Sequence, residues 1–560
     1  MSNTPRAIQA RPTIRERTGA WFHLRRLANE PFWFGVLLLV VGFFALFILY
    51  PTAKMVGAPS LSDWQRFFRS ARFIRAFKNT ILSSVYATVT ATILGFVFAY
   101  AMNYTDIPGK KFFRNIVLLP LMSPPAVTGL AFLLLFGRRG LITHYILGLN
   151  VDMYGPVGLW IVQSLSFFPV AYVAISGVLR AIQPNLELAA RNLGSSGFHL
   201  FRTVTLPLAL PGVISAALLV GISALADFGN PMLIGGNYTV LATEAYVQAT
   251  GRWDLNMASV LSMMLVLPTL LLFMFQKFYL DKRSFVTITG KPSSQLMRYP
   301  VSNLVRVLIF IVCAFLSLVI LLLYSTIVVG AFTEVLGVQN IFTLSHFKRA
   351  VFHSSTLWNS WILGLCAAVG TAVLGVLIAY LVNRKKFPGR GLIDFLTLLP
   401  GSLPGTFIGI SLVMAFNNEP FMLTGTAFIL VLAMGLRQLP VAYRNAYAAL
   451  QQIDTSIEQA AANLGANGFQ TFTGIVLPML KNAFSSGLVY NFMKSMNTLS
   501  AVIFLVSPRW TLGAVSILSL ADHGYTGQAS AIAFGMILLV FATLGAAKLI
   551  FKDALNIFDI

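Results

Sequence analysis

Charge is what this sequence has least of. Only 10% of its 560 residues are Asp, Glu, Lys or Arg, against roughly 25% in an ordinary soluble domain. A soluble fold would have to bury nearly every surface, and that is excluded. Acid is scarcer than base, with 18 Asp and Glu against 40 Lys and Arg, for a net charge of +22. The two cysteines, Cys313 and Cys366, lie inside apolar segments. They are expected as small buried packing residues, and they carry no information on redox compartment. His23, His144, His199, His346, His353 and His523 are scattered, with no two at metal-ligand spacing, which speaks against a metal centre. No G-x4-G-K-[ST] occurs. TITGKP at 287–292 lacks both the spacing and the hydroxyl after Lys, so a P-loop phosphate cradle is excluded. No cluster of His, carboxylate and Cys marks a membrane-embedded enzyme.

What the sequence has in excess is apolar length. Hydrophobic residues make up 57% of the chain, in repeated runs of about 20, the length that crosses a bilayer core as a helix. The expectation is an all-α integral membrane protein of twelve spans. They fall near 32–52, 79–103, 113–136, 156–178, 211–234, 257–280, 304–330, 357–383, 392–416, 423–447, 483–506 and 528–551. The basic residues sit in short clusters between these runs, where orientation signals and lipid headgroups account for them, so nucleic acid is not an expected partner. The first run, Phe32 to Tyr50, follows a basic segment with Arg25 and Arg26 and lacks a small-residue cleavage site. It reads as a retained signal-anchor helix.

Lys and Arg near span ends set the orientation. The basic N-terminus goes to the cytoplasm, with Lys110, Lys111 and Arg114, the 281–303 linker, Arg384, Lys385, Lys386 and Arg390, and the C-terminal Lys548 and Lys552. One loop disagrees. Residues 53–78 belong outside by alternation, yet hold Lys54, Arg66, Arg69, Arg72, Arg75 and Lys78. WQRFFRSARFIRAFKN within that region has near-helical apolar spacing and reads as an interfacial amphipathic helix.

The chain is also duplicated. Asn79–Pro120 parallels Asn359–Pro400 at an offset of 280, and PVAY recurs at 169–172 and 440–443 at an offset of 271. The nine-residue difference is placed around GRRGLITHYILGLNVDMYG, and the 271 offset holds through ASVLS (258–262) and ASAIA (529–533). The expected domains are a cytoplasmic N-terminus (1–31), a first repeat (32–280), a cytoplasmic linker (281–303), a second repeat (304–551) and a cytoplasmic C-terminus (552–560). Six spans per repeat give both halves one orientation. Parallel repeats of that kind place a substrate path at their interface in transporters.

The best-matched stretch is a polar loop, not a span. ELAARNLGSSGFHLFRTVTLP (187–207) returns as EQAAANLGANGFQTFTGIVLP (458–478), and eleven of the 24 positions in 184–207 are identical in the copy. Pro184 suits a first helical position, and Glu187 suits the first turn against the helix dipole. Gly194 suits a left-handed helix end, and Phe201 an anchor onto the spans. Leu206-Pro207 is expected to break the segment before the next span. Asp454 is the corresponding N-cap of the copy.

With these residues in view, the loops at about 180–210 and 451–482 resemble the EAA loop of membrane subunits of binding-protein-dependent ABC importers. The likeness covers the whole chain, as two six-span permease halves of the type I fold fused in one polypeptide. It implies that Glu187, Ala189, Ala190, Gly194, Leu206 and Pro207, with Glu458, Ala460, Ala461, Gly465, Leu477 and Pro478, couple to an ATPase subunit dimer. That partner would use ATP and Mg, and this chain would bind no cofactor. It also implies a bacterial inner-membrane location and an extracytoplasmic solute-binding protein as a second partner. The family's Glu commonly stands directly before Ala-Ala, whereas Leu188 and Gln459 stand there in this chain.

Inside the spans two ionisable residues stand out, Asp227 in SALADFGNPMLIGGN and Lys494 in YNFMKSMNTLS. With Asn230 they line or gate the route, or they form an interhelical polar clasp, or the lysine reaches toward the surface. DFGNPMLIGGNYTVLATEAY (227–246) is similar to the matching region of fused ferric iron permeases, which points to iron as the solute. A phosphonate, sugar phosphate, thiamine or polyamine fits the same architecture. An ion-coupled secondary transporter is the rival of another class, and it would not need two matched loops.

Overall fold

The structure is a computed structural model. It describes residue 25 and residues 27–149, 151–280 and 302–551. The expectations for the extreme N-terminus, the 281–301 linker and the residues after 551 lie outside these.

The first half opens with α1 (Pro31–Gly57), a span with a π turn at Ala45–Leu49. Next comes the amphipathic α2 (Leu61–Arg69), capped at Ser60, whose backbone N–H donates to Asp63. That bond and the Ser60 hydroxyl hold the Asp63 carboxyl below its usual range. α3 (Ala71–Tyr104) follows, then α4 (Lys110–Val117), α5 (Pro125–Phe136) and α6 (Pro156–Ala181). The first repeated loop holds α7 (Pro184–Asn192), which leads into α8 (Leu206–Leu225), α9 (Gly229–Ile234), α10 (Leu241–Tyr246) and α11 (Leu255–Phe275).

The second half repeats the order as α12 (Asn303–Phe332), α13 (Thr356–Arg384), α14 (Arg390–Leu398), α15 (Gly405–Phe416) and α16 (Ala427–Gln452). The second loop holds α17 (Thr455–Asn463), followed by α18 (Lys481–Met496), α19 (Gly513–Asp522) and α20 (Thr526–Phe551). A two-stranded antiparallel hairpin, β1 (Thr333–Val335) and β2 (Gln339–Phe342), is the sheet structure among the described residues.

Ten helices among the described residues are long and apolar enough to cross a bilayer, eleven if the bent pair α14–α15 counts as one. Helices of that kind among the described residues thus number ten or eleven, against the twelve spans expected from the sequence. The expected span 483–506 fails because α18 ends at Met496, where Asn497, Thr498 and Ser500 interrupt the apolar run. Its first-half counterpart stops at the matching residue, Leu225, 271 positions earlier. The expected span 113–136 is broken at Ser123-Pro124 before α5. Its copy turns by 109° between Gly401 and Gly405. A proline at each break has no N–H for a continuing helix and disfavours helical backbone in the residue before it.

Packing is tightest where small residues let helices close. A Cβ on Gly95 of α3 would lie 2.6 Å from Ala171 Cβ of α6, and one on Gly375 of α13 would lie 2.7 Å from Ala442 Cβ of α16. The two glycines are related by the 280 offset and their partners by 271, so both halves use one packing device at matched places. Cys313 is buried as expected, but Cys366 is exposed. It lies on a face of α13 that the protein itself does not cover.

Candidate functional site

Both repeated loops fold as a short helix ended by a left-handed glycine. Gly194 has φ +89° and Gly465 φ +88°, a conformation that costs glycine nothing sterically. In each loop two backbone bonds close the end, Gly194 N–H to Arg191 O and Ser195 N–H to Ala190 O. The copy repeats them as Gly465 N–H to Ala462 O and Ala466 N–H to Ala461 O. Asp454 caps α17 by accepting from the Ser456 N–H at 2.9 Å, which also holds its carboxyl below the ordinary range.

The repeated glutamates turn inward. Glu187 is buried and accepts from Thr205 Oγ1 at 2.7 Å. Glu458 accepts from the Tyr380 hydroxyl at 2.8 Å and pairs with Arg384 Nε at 2.7 Å. With about 100° per helical residue, standing one place early puts the acid on the face toward its own spans. Ala189, Gly194, Ala460 and Gly465 are exposed, Ala190 is half-buried and Ala461 is buried.

Leu193 and Leu464, at matched positions, are 89% and 90% exposed. Sequence reasoning passed over this pair, although the shared NLG of the two loops contains it.

Leu206-Pro207 does not break the chain. A π turn at Phe201–Thr205 runs straight into α8, and Phe472–Val476 is the matching π turn before Leu477-Pro478. The wider register gives room for a proline ring that would collide with a carbonyl in α-register. Only in the copy does a turn at Leu480 interrupt the helix.

The second loop carries an extra clamp. Trp33 of α1 is fully buried, stacked on Tyr380 at 4.3 Å and edge-on to Phe472 at 5.1 Å, while Phe32 meets Phe469 at 4.8 Å. Glu30 pairs with Lys385. A Cβ on Gly468 would lie 2.7 Å from Glu30 Oε2 and 3.0 Å from Trp33 Nε1, so any side chain there would press on the strap. The first loop is held by Phe201 against Phe96 and Tyr100.

A cavity of about 170 Å³ lies between the halves. Its wall includes seven matched pairs, Ser166 and Arg437, Phe167 and Gln438, Ser223 and Lys494, Ala226 and Asn497, Asp227 and Thr498, Phe228 and Leu499, and Gly229 and Ser500, and the first half adds Pro120, Leu121, Ser123, Pro125, Thr128 and Val170. Each pair is 271 residues apart, and no second-half residue of the wall lacks its first-half partner there. Asp227 and Lys494 thus line the same cavity. Asn230 stands behind the wall, fully buried, and donates to Asp227 Oδ2 at 3.0 Å. Gln163 Nε2 donates to the same oxygen at 3.0 Å, so that one carboxylate oxygen accepts from two side-chain amides. Arg437 is a further charge in the wall that the sequence reading missed. It lies in LRQLPVAY, a polar interruption of its span, and donates to Ser500 Oγ at 2.7 Å.

The basic stretch 53–78 is partly neutralised within the protein. Arg66 pairs with Asp254 at 2.8 Å and Arg72 with buried Glu244 at 3.0 Å. Among the described residues no group of three His, Cys, Asp or Glu side chains is arranged to hold a metal.

The chain belongs to the family described as binding-protein-dependent transport system inner membrane component, which matches it over residues 91–286 and again over 371–553. It is thus the permease component of an ABC-type importer that works with a periplasmic solute-binding protein. It is 33% identical over 544 residues to a ferric transport system permease protein of Actinobacillus pleuropneumoniae, covering 93% of this chain and 78% of that one. It is 24% identical over 523 residues to an Fe(3+)-transport system permease protein of Haemophilus influenzae, covering 92% and 97%. Among solved structures, a bacterial alginate ABC transporter in complex with an alginate-bound periplasmic protein matches 47% of this chain and 98% of its own. That match has 18% identity and a TM-score of 0.42.

Proposed function

We propose that this chain forms the whole translocation pore of its importer, two parallel six-helix halves around a pseudo-twofold axis, and that its solute is ferric iron handed over by the binding protein. The observation that carries the pore reading is the cavity wall, where residues 271 apart line one cavity at the junction of the halves. Two ferric permease relatives that align over more than nine-tenths of the chain support iron.

In this reading the two loops, with Glu187, Ala189, Ala190, Gly194, Leu206 and Pro207 and their copies Glu458, Ala460, Ala461, Gly465, Leu477 and Pro478, seat the two subunits of an ABC ATPase on the cytoplasmic side. ATP and Mg act there, outside this chain. ATP binding draws the ATPase subunits and both loops together, the halves rock, and the cavity opens to the binding protein. Release of the ATPase dimer after hydrolysis returns it to the cytoplasm. Asp227, Asn230 and Lys494 belong to the route, the first two as a clasped pair in or behind its wall.

The test is uptake of radioactive iron into proteoliposomes holding the permease, its ATPase and the iron-loaded binding protein. Accumulation that requires ATP and the binding protein is expected. An organophosphonate, sugar phosphate or amine found in the copurified binding protein overturns iron and leaves the architecture standing. Uptake abolished by a protonophore and indifferent to ATP depletion overturns the architecture's function.

A further inference from the structure

We infer that the cavity between the halves is an oxyanion site, so that the solute crosses with anionic oxygens turned toward the second-half wall. This rests on the reading of the cavity as the route. Two cations, Arg437 and Lys494, line it against one carboxylate, Asp227. They stand where the first half has Ser166 and Ser223, so the positive charge comes from one wall only.

Asp227 has little left to offer a cation. Its Oδ2 accepts from Gln163 and Asn230, and its Oδ1 accepts from the Asn230 backbone N–H at 3.4 Å. A hard metal ion wants several oxygen ligands, and the wall supplies a single, engaged carboxylate. Donors, by contrast, are available. Among the described residues the Lys494 ammonium has no hydrogen-bond or ion-pair partner and lies 5.9 Å from the Tyr490 ring centre. Asn497, 6% exposed and in the same wall, has its side-chain nitrogen and oxygen unpartnered. Arg437 presents a planar fork suited to carboxylate or phosphate and is spent on one hydroxyl, that of Ser500. A guanidinium, an ammonium and an amide converging on one small cavity bind anionic oxygen and repel a bare cation. Iron would therefore pass with its anionic oxygen ligands attached.

The experiment titrates inorganic phosphate, as the probe oxyanion, into the ATPase–permease complex in nanodiscs. The same preparations are assayed for iron uptake in proteoliposomes. Saturable phosphate binding is expected, weakened roughly tenfold or more in Arg437→Gln and in Lys494→Gln, with Arg437→Lys recovering most of it. Uptake should fall in the same order. Melting of each purified variant separates a folding defect from a lost site. Absence of saturable binding in the wild type overturns the inference, and so does equal binding in Arg437→Gln and Arg437→Lys. Wild-type uptake that needs neither ATP nor the binding protein would instead overturn the function proposed above, whatever phosphate does.

Discussion

Glu187 and Glu458 are two acids whose carboxylates are engaged within the chain, by Thr205 in one loop and by Tyr380 and Arg384 in the other. Each is held by a hydroxyl of its own half, Thr205 or Tyr380, so each positions its loop. Of the large apolar side chains in the two loops, Leu193 and Leu464 are the most exposed. Leu193→Asp and Leu464→Asp should each weaken ATPase binding roughly tenfold or more, as expected from about 1.5–3 kcal/mol for a buried leucine. Pull-down with the isolated ATPase would read this, with unchanged membrane insertion. Gly194→Pro or Gly465→Pro, forced from φ near +89° to about −65°, should abolish transport-coupled ATP hydrolysis while the protein still inserts. Normal coupling in either variant would sink the loop assignment. At this scale the loops were legible in the sequence, because turn chemistry is local. The inward turn of the acids was not, since it depends on what the spans place behind the helix.

The two loops are equal as sequence and unequal as elements. α1 reaches across and lays Trp33 over Tyr380 and Phe472, linking the first span to α13 and, through Tyr380, to Glu458. Truncation of a buried aromatic costs about 3–5 kcal/mol. Trp33→Ala should therefore raise hydrogen exchange across 455–478 and leave 184–207 unchanged. Equal loosening of both loops would show that the strap is a general prop. The spans themselves taught a related lesson. Apolar length in 113–136 and 483–506 reads as a crossing helix, but Ser123-Pro124-Pro125 and the polar run from Asn497 to Ser500 end the helices early. Conversely, Leu206-Pro207 reads as a stop, and a π turn carries the helix through it. Proline breaks a helix or is absorbed according to the register around it, which local sequence does not state.

At the scale of the whole molecule, duplication governs the site. In a cysteine-free background, Cys at Gly194 or Gly465 should react with a membrane-impermeant thiol reagent only from the cytoplasmic side. Cys at Leu61 of α2 should react only from outside. The reverse pattern would invert the topology. What the sequence by itself determined is the membrane class, the internal repeat and the pair of matched loops. Each of these follows from composition or short-range pattern, which survive without knowledge of contacts. The tertiary structure alone decided that Ser166, Ser223 and Asp227 share a wall with Arg437, Lys494 and Thr498. Residues 271 apart meet only when two halves pack, and no periodicity along the chain encodes which faces of those helices turn toward each other.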